Sequence, residues 1–140
     1  MASAVDPDPG TFAELIASVP PGVPVVMLNL LRFRDVATYP PGSSGAALEE
    51  CSGHAAYTER YGPDAFNHVT AAGGEVVWAA HAHAALIAPP GEQWDSVLLV
   101  RYPSIEAFAT MVVDPAYQAV AVHRTAALLD SRLIATVEND

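Results

Sequence analysis

The segment from Trp94 to Thr136 reads as strand, helix, helix, strand, and each of its joints carries a marker. Trp94 to Tyr102 is apolar on both faces apart from Asp95 and Arg101, which share one face. Pro103 ends that strand and Ser104 caps a helix whose buried stripe is Ile105, Phe108, Ala109 and Val112. Asp114 followed by Pro115 restarts the helix, a cap with proline at the first helical position. The second helix runs from Pro115 to about Leu129 with Tyr117, Ala121, Arg124 and Leu128 along one line and His123 on a neighbouring one. Ser131 to Val137 reads as the closing strand.

The preceding half supplies a matching set of elements. Thr11 caps a short expected helix from Phe12 to Ser18, which Pro20, Pro21 and Gly22 stop. Val23 to Phe33 is apolar on both strand parities, so both of its faces need cover. Arg34 to Ser52 reads as a surface excursion with one helical turn around Ala46 to Glu50. A long helix starts at Ser52 or Gly53 and reaches about Ala72, kinked at Gly62 and Pro63 because proline removes one helical hydrogen bond. Glu75 to Ile87 is expected as a strand with Val77, Ala79, His81 and His83 on one face and Val76, Trp78 and Ala80 on the other.

The order strand, helix, strand, strand, helix, strand implies an α+β fold, the ferredoxin-like βαββαβ sandwich. A four-stranded antiparallel sheet would carry its helices on one face, with residues 1–22 as an N-terminal extension and 23–138 as a single domain. The strands are apolar on both parities, so the other face needs a cover. A second copy packed sheet to sheet would provide it and leave a cavity between sheet and helices in each subunit. Composition agrees: at 140 residues the chain holds one core, yet 51% of it is hydrophobic and its mean hydropathy is +0.24.

Charge narrows the partners. Sixteen acidic residues against six arginines, with no lysine, give a net charge of -10, which would repel a phosphate backbone, so no nucleic-acid partner is expected. The lone Cys51 excludes a disulfide framework within the chain and any multi-cysteine metal site. The start of the chain lacks the pattern of a secretory signal and no apolar run reaches the length of a membrane span. The expectation is a cytoplasmic protein with no membrane partner.

Several of these segments resemble one family. GGEVVWA, WDSVLLVRYPS, DPAYQAV, HRTAAL and DSRLIAT, with the upstream VVMLNLLRF and AAYTERYG, are similar in type and order to the domain-of-unknown-function 1330 family of the dimeric alpha-beta barrel superfamily. The resemblance spans roughly Val23 to Thr136 and implies a ferredoxin-like subunit and a homodimer. That superfamily holds cofactor-free monooxygenases, polyketide cyclases and isomerases, among others, so the resemblance says little about the reaction. The HAH at residues 81–83 departs from the family pattern.

Polar residues set into apolar elements are the candidates for chemistry. His81 and His83, two apart on the expected strand, could share a metal with His123 or an acid; the plainer reading is two polar residues at a strand end. His123 can move a proton near neutral pH and Arg124 can hold a carboxylate or enolate, unless Arg124 pairs with Asp95, Asp114 or Asp130. Asn29 would suit a donor to an oxyanion or a carbonyl oxygen, or else be a satisfied core amide; Arg101 is a further polarising candidate. Tyr57, Tyr61, Trp78, Trp94 and Tyr117 could line an aromatic, substrate-binding cavity or simply form core.

Two functions follow as expectations. One is a small cofactor-independent enzyme running acid–base chemistry of isomerase, cyclase, hydratase/lyase or monooxygenase type on a hydrophobic, aromatic or polyketide-like small molecule. Its catalytic residues would come from His123, His81, Asn29, Arg124 and Arg101, with no cofactor and no metal. The other is a non-catalytic small-molecule-binding or structural homodimer. A pocket walled by Asn29, His81, Trp78 and Tyr117 would favour the first.

Overall fold

A computed structural model describes residues 3–139; the first two residues of the expected extension 1–22 lie outside the described ones. The elements run α1 (Pro9–Ser18), β1 (Val25–Phe33), a single 3-10 turn (Ser44–Ala47), α2 (Gly53–Ala55), a π-helical stretch (Ala56–Tyr61), α3 (Gly62–Ala71), β2 (Glu75–His81), β3 (Ser96–Tyr102), α4 (Ile105–Val113), α5 (Pro115–Ala127) and β4 (Leu128–Thr136). The four strands form one sheet in the order β2-β3-β1-β4 with every neighbour antiparallel. This is the ferredoxin-like sandwich that the element order implies.

Each element boundary has a local cause. Asp8, not Thr11, caps α1: its carboxylate accepts from the Thr11 N–H at 3.0 Å and Pro9 takes the first helical position. Ser104 and Asp114 cap α4 and α5 by accepting from Ala107 and Ala116. The kink expected at Gly62 and Pro63 is a change of helical register. Pro63 has no N–H to give, and the Gly62 N–H reaches five residues back to the Tyr57 carbonyl, so the turn before the proline widens to π geometry. Gly53 has no side chain for a reason: a Cβ there would collide with the carbonyl oxygens of Arg34 and Ala127, where α2 abuts the ends of β1 and α5.

β2 stops at His81 rather than Ile87. It is an edge strand whose only neighbour, β3, begins at Ser96 opposite His81, and the Asp95 carbonyl takes the Ala82 N–H as the hairpin opens into a loop. A bulge between Val76 and Trp78 also breaks the simple alternation. Val76 pairs with Val100 on the helix side, while Trp78 pairs with Leu99 on the opposite side. The chain passes from α5 straight into β4 at Leu128, three residues earlier than Ser131.

Odd positions of β1 face the helices. Val25, Met27, Asn29 and Leu31 are buried, and the main core joins Val25 and Met27 to Val100, Tyr102, Ile105 and Phe108. A smaller cluster of Leu31, Ala56, Ala127 and Leu128 seals the end where α2 meets β4. Even positions of β1 face the side that carries no helix. There Leu28 and Leu30 are half-buried, and Trp78 and Ile134 are 59% and 51% exposed. Among the described residues no helix is long and apolar enough to cross a membrane.

Candidate functional site: a tyrosine-lined cavity between sheet and helices

Between the sheet and its helices lies a cavity of about 610 Å³, large enough for a two-ring organic molecule. Met27 and Asn29 of β1 and Leu98 and Val100 of β3 form its floor. The π stretch contributes Tyr57 and Tyr61 and α5 contributes Tyr117 and Arg124 to its walls. These four reach one space because Tyr57 and Tyr61 lie one widened turn apart, and Tyr117 and Arg124 two turns apart, on elements packed against each other.

The polar groups are few and tightly placed. The hydroxyls of Tyr61 and Tyr117 are 2.6 Å apart, and the Tyr57 and Tyr61 rings lie 5.0 Å centre to centre. Burial pushes the Tyr57 phenol up to about 12, against the opposing pull of the Arg124 charge and its hydrogen bond. Burial, followed by the neighbouring phenols Tyr117 and Tyr57, raises Tyr61 well above its ordinary value. Both phenols are therefore neutral hydrogen-bond donors throughout the physiological range. Arg124 donates from Nη1 to the Val5 carbonyl at 2.7 Å and also lies on the cavity wall. It pairs with none of Asp95, Asp114 and Asp130. Asp95 accepts from the Phe33 N–H, Asp114 caps α5, and Asp130 binds Arg132 at 2.7 Å.

The mouth is edged by the N-terminal segment. Asp6, Pro7 and Phe12 line the cavity there, held by Thr125 Oγ1 donating to Asp6 at 2.6 Å and by Ser131 Oγ donating to the Ala4 carbonyl at 2.8 Å. Asp130 secures the same segment through the Ala4 N–H at 2.9 Å. Burial alone would raise the Asp130 carboxyl; the hydrogen bonds from Ala4, Arg132 and Ser131 outweigh it and hold the group below its ordinary value.

Of the residues singled out in the sequence, the cavity gathers Asn29, Arg124, Tyr57, Tyr61 and Tyr117, and the rest lie elsewhere. His123 turns to the outer side of α5, where its Nδ1 is 2.6 Å from the Tyr39 hydroxyl; Arg60 donates to the same oxygen at 3.2 Å. Burial and then the Arg60 charge lower the His123 pKa, with Asp64 opposing. Arg101 is half-exposed on the helix-free face, bonded to Glu75 at 3.2 Å. Trp78 is on that face as well, and the Arg132 guanidinium lies over the half-buried Trp94 ring at 5.1 Å. His81 is exposed at the end of β2, and His83 falls beyond the strand, so the two do not share the strand face that a joint metal would need. Among the described residues no three His, Cys, Asp or Glu side chains come together to hold a metal.

Sequence reasoning passed over Tyr102, Gln118 and the N-terminal Asp6, all of which line the cavity. Tyr102 had a readable signal, since it shares strand parity with Leu98 and Val100. Asp6 had none, because its approach to the mouth depends on contacts more than a hundred residues away.

No family model matches the chain, and no curated protein does. Among solved structures, the RPA0582 protein of Rhodopseudomonas palustris, a protein of unknown function, superposes with a TM-score of 0.86 at 38% identity over 99% of each chain. Its methylated form gives 0.87 at 39% identity over 100% of this chain and 98% of that one. This chain belongs to the RPA0582 family. An uncharacterised NIPSNAP-like domain protein from Burkholderia xenovorans shares only the fold, with a TM-score of 0.51 at 10% identity over 84% of this chain and 87% of that one.

Proposed function

We propose that this protein is a homodimer that binds a hydrophobic small organic molecule in the cavity between sheet and helices, with one anionic or polarised oxygen of that molecule held by Arg124 and Tyr57. The observation that carries the reading is a guanidinium on the wall of a cavity otherwise dominated by apolar and phenolic side chains. Such a cation, partly desolvated, favours a carboxylate or enolate oxygen. The neutral Tyr57 hydroxyl beside it adds a donor.

The homodimer rests on the helix-free sheet face, where Leu28, Leu30, Val97 and Leu99 form an apolar band continued by Trp78 and Ile134. Charged pairs flank it, Arg101 with Glu75 and Arg132 with Asp130. A second copy laid sheet to sheet would remove this band from water, in keeping with the resemblance to the domain-of-unknown-function 1330 family. A cytoplasmic location belongs to the same reading.

Catalysis is the second reading, a cofactor-independent acid–base reaction of isomerase, cyclase, hydratase/lyase or monooxygenase type. The Tyr57–Arg124 pair favours it, because a phenol donating to a developing oxyanion beside a fixed cation is a stabilising arrangement for enolate chemistry. The expected bases His123 and His81 lie outside the cavity, so binding is the stronger conclusion.

The test is native mass spectrometry of the purified protein together with titration of naphthoate, an apolar carboxylate sized for the cavity. The expected results are a dimer and saturable binding, weakened about ten- to a hundredfold in Arg124→Met, the range for hydrogen bonds to a charged group. Binding that is indifferent to Arg124→Met would sink the assignment.

A further inference from the structure

The floor of the cavity carries a polar group whose bonding is incomplete. Asn29 is 8% exposed, on β1, among Met27, Leu98 and Val100. Its Nδ2 is committed to two backbone carbonyls, those of Met27 at 3.3 Å and of Leu98 at 3.2 Å, the second across the β1–β3 seam where Asn29 and Leu98 are paired. These two bonds fix which end of the amide is which, since an oxygen in that place would face two carbonyl acceptors. The side chain expected from sequence to donate toward a substrate oxygen has thus spent its donors on the sheet.

What remains is Oδ1. No described residue donates to it. It is also absent from the fully enclosed unpartnered atoms, of which Arg34 Nε is the one found among the described residues, so Oδ1 keeps some open surface, and the space that Asn29 borders is the cavity. A buried acceptor left without a donor costs about 1–3 kcal/mol. Besides Asp6, Thr125 and Gln118, which also line the cavity, its polar groups include donors on the wall at Arg124, Tyr57 and the Tyr61–Tyr117 pair, and an acceptor on the floor at Asn29.

We infer that the ligand of this cavity is a hydroxylated hydrophobic acid or enol: an apolar body with an anionic or carbonyl oxygen at one place and, at another, a hydroxyl or N–H that donates to Asn29 Oδ1. The inference rests on the binding reading above and narrows its ligand class. Asn29 then serves as a specificity-determining residue, because an analogue lacking the donor leaves Oδ1 unsatisfied inside a desolvated floor.

The test titrates wild-type protein with naphthoate and with its positional hydroxy isomers, alike in size and charge. At least one isomer is expected to bind about tenfold or more tighter than naphthoate, the equivalent of one buried hydrogen bond. That preference should collapse in Asn29→Leu while the dependence on Arg124 persists. If every isomer binds no better than naphthoate while Arg124→Met still weakens binding, the donor inference is overturned and the binding reading stands. If no naphthoate binds at all, both are overturned. Should Asn29→Leu fail to fold, a crystal structure of the wild type with the tightest isomer decides: the hydroxyl must lie within hydrogen-bond distance of Oδ1, and a hydroxyl placed elsewhere refutes the assignment.

Discussion

The two faces of the sheet are built from the same strands and meet opposite fates. On the helix side Val25, Met27 and Leu31 retain at most 1% of their surface, and the space left between strands and helices holds an arginine and several phenols. On the other side Trp78 and Ile134 keep more than half of theirs, with residues as apolar as those within the core. The helix side is therefore completed by the chain itself, and the remaining face is left uncovered by it. The proposed binding chemistry uses the face the chain completes; the proposed dimer would use the face it leaves open.

The sharpest way to break this contrast is to hollow the completed face. Leu31→Ala removes a side chain that is 1% exposed and joins Ala56, Ala127 and Leu128 in the end cluster. The expected loss is about 2–5 kcal/mol in urea unfolding. Ile134→Ala on the open face should cost well below that in the same measurement made on isolated monomer, since that side chain has little burial to lose. Equal losses at the two positions would mean that the faces do not differ as described.

Next in size is the effect of charging the open face. Leu99→Arg, at the centre of the apolar band between Leu28 and Trp78, should convert the proposed dimer to a monomer in light scattering at micromolar concentration while leaving the far-ultraviolet circular dichroism unchanged. Retention of the dimer would place the interface elsewhere.

How far this division was legible in the sequence depends on the element. β1, β3 and the caps at Ser104 and Asp114 declared themselves through parity and punctuation, and so did the element order that specifies the sandwich. The second strand was misread because its alternation is interrupted by a bulge at Val77 and its length is limited by where its partner begins, both properties of pairing rather than of local sequence. Trp78 therefore looked like a cavity residue and lies on the other face. His123 and Arg124 are adjacent in sequence yet diverge, since successive helical positions are about 100° apart and only Arg124 shares the line of Tyr117. The direction of Asn29's donors was out of reach, because it is decided by the Leu98 carbonyl on a neighbouring strand.

A smaller test concerns the phenols of the completed face. Tyr61→Phe deletes one hydroxyl of the 2.6 Å pair with Tyr117 and leaves the ring in place. The expected loss is about 1 kcal/mol of stability, the net worth of one hydrogen bond, together with weaker naphthoate binding if the pair orients the wall of the cavity. A stability loss as large as that of Leu31→Ala would show that the ring, not the hydroxyl, had been disturbed.

The smallest expected effect lies on the outer side of α5, where His123 belongs to neither face. Burial and the Arg60 charge favour its neutral form, with Asp64 opposing, so its folded pKa lies below the ordinary 6.5. The sign follows from linkage: below 6.5 the unfolded chain binds a proton that the folded chain resists, so stability is intact above that value and declines as pH falls toward the folded pKa. Protonation also changes the 2.6 Å contact between His123 Nδ1 and Tyr39, whose hydroxyl already accepts from Arg60. In the neutral state Tyr39 can donate to Nδ1; once Nδ1 carries a proton, the hydroxyl faces two cationic donors and must turn its own hydrogen elsewhere. His123→Gln should flatten the slope of urea midpoint against pH just below 6.5 relative to wild type. The steeper loss that carboxylates such as Asp130 contribute below 3.8 should remain in both proteins. An unchanged slope in His123→Gln would remove His123 from the acid response and leave the contact with Tyr39 as packing alone.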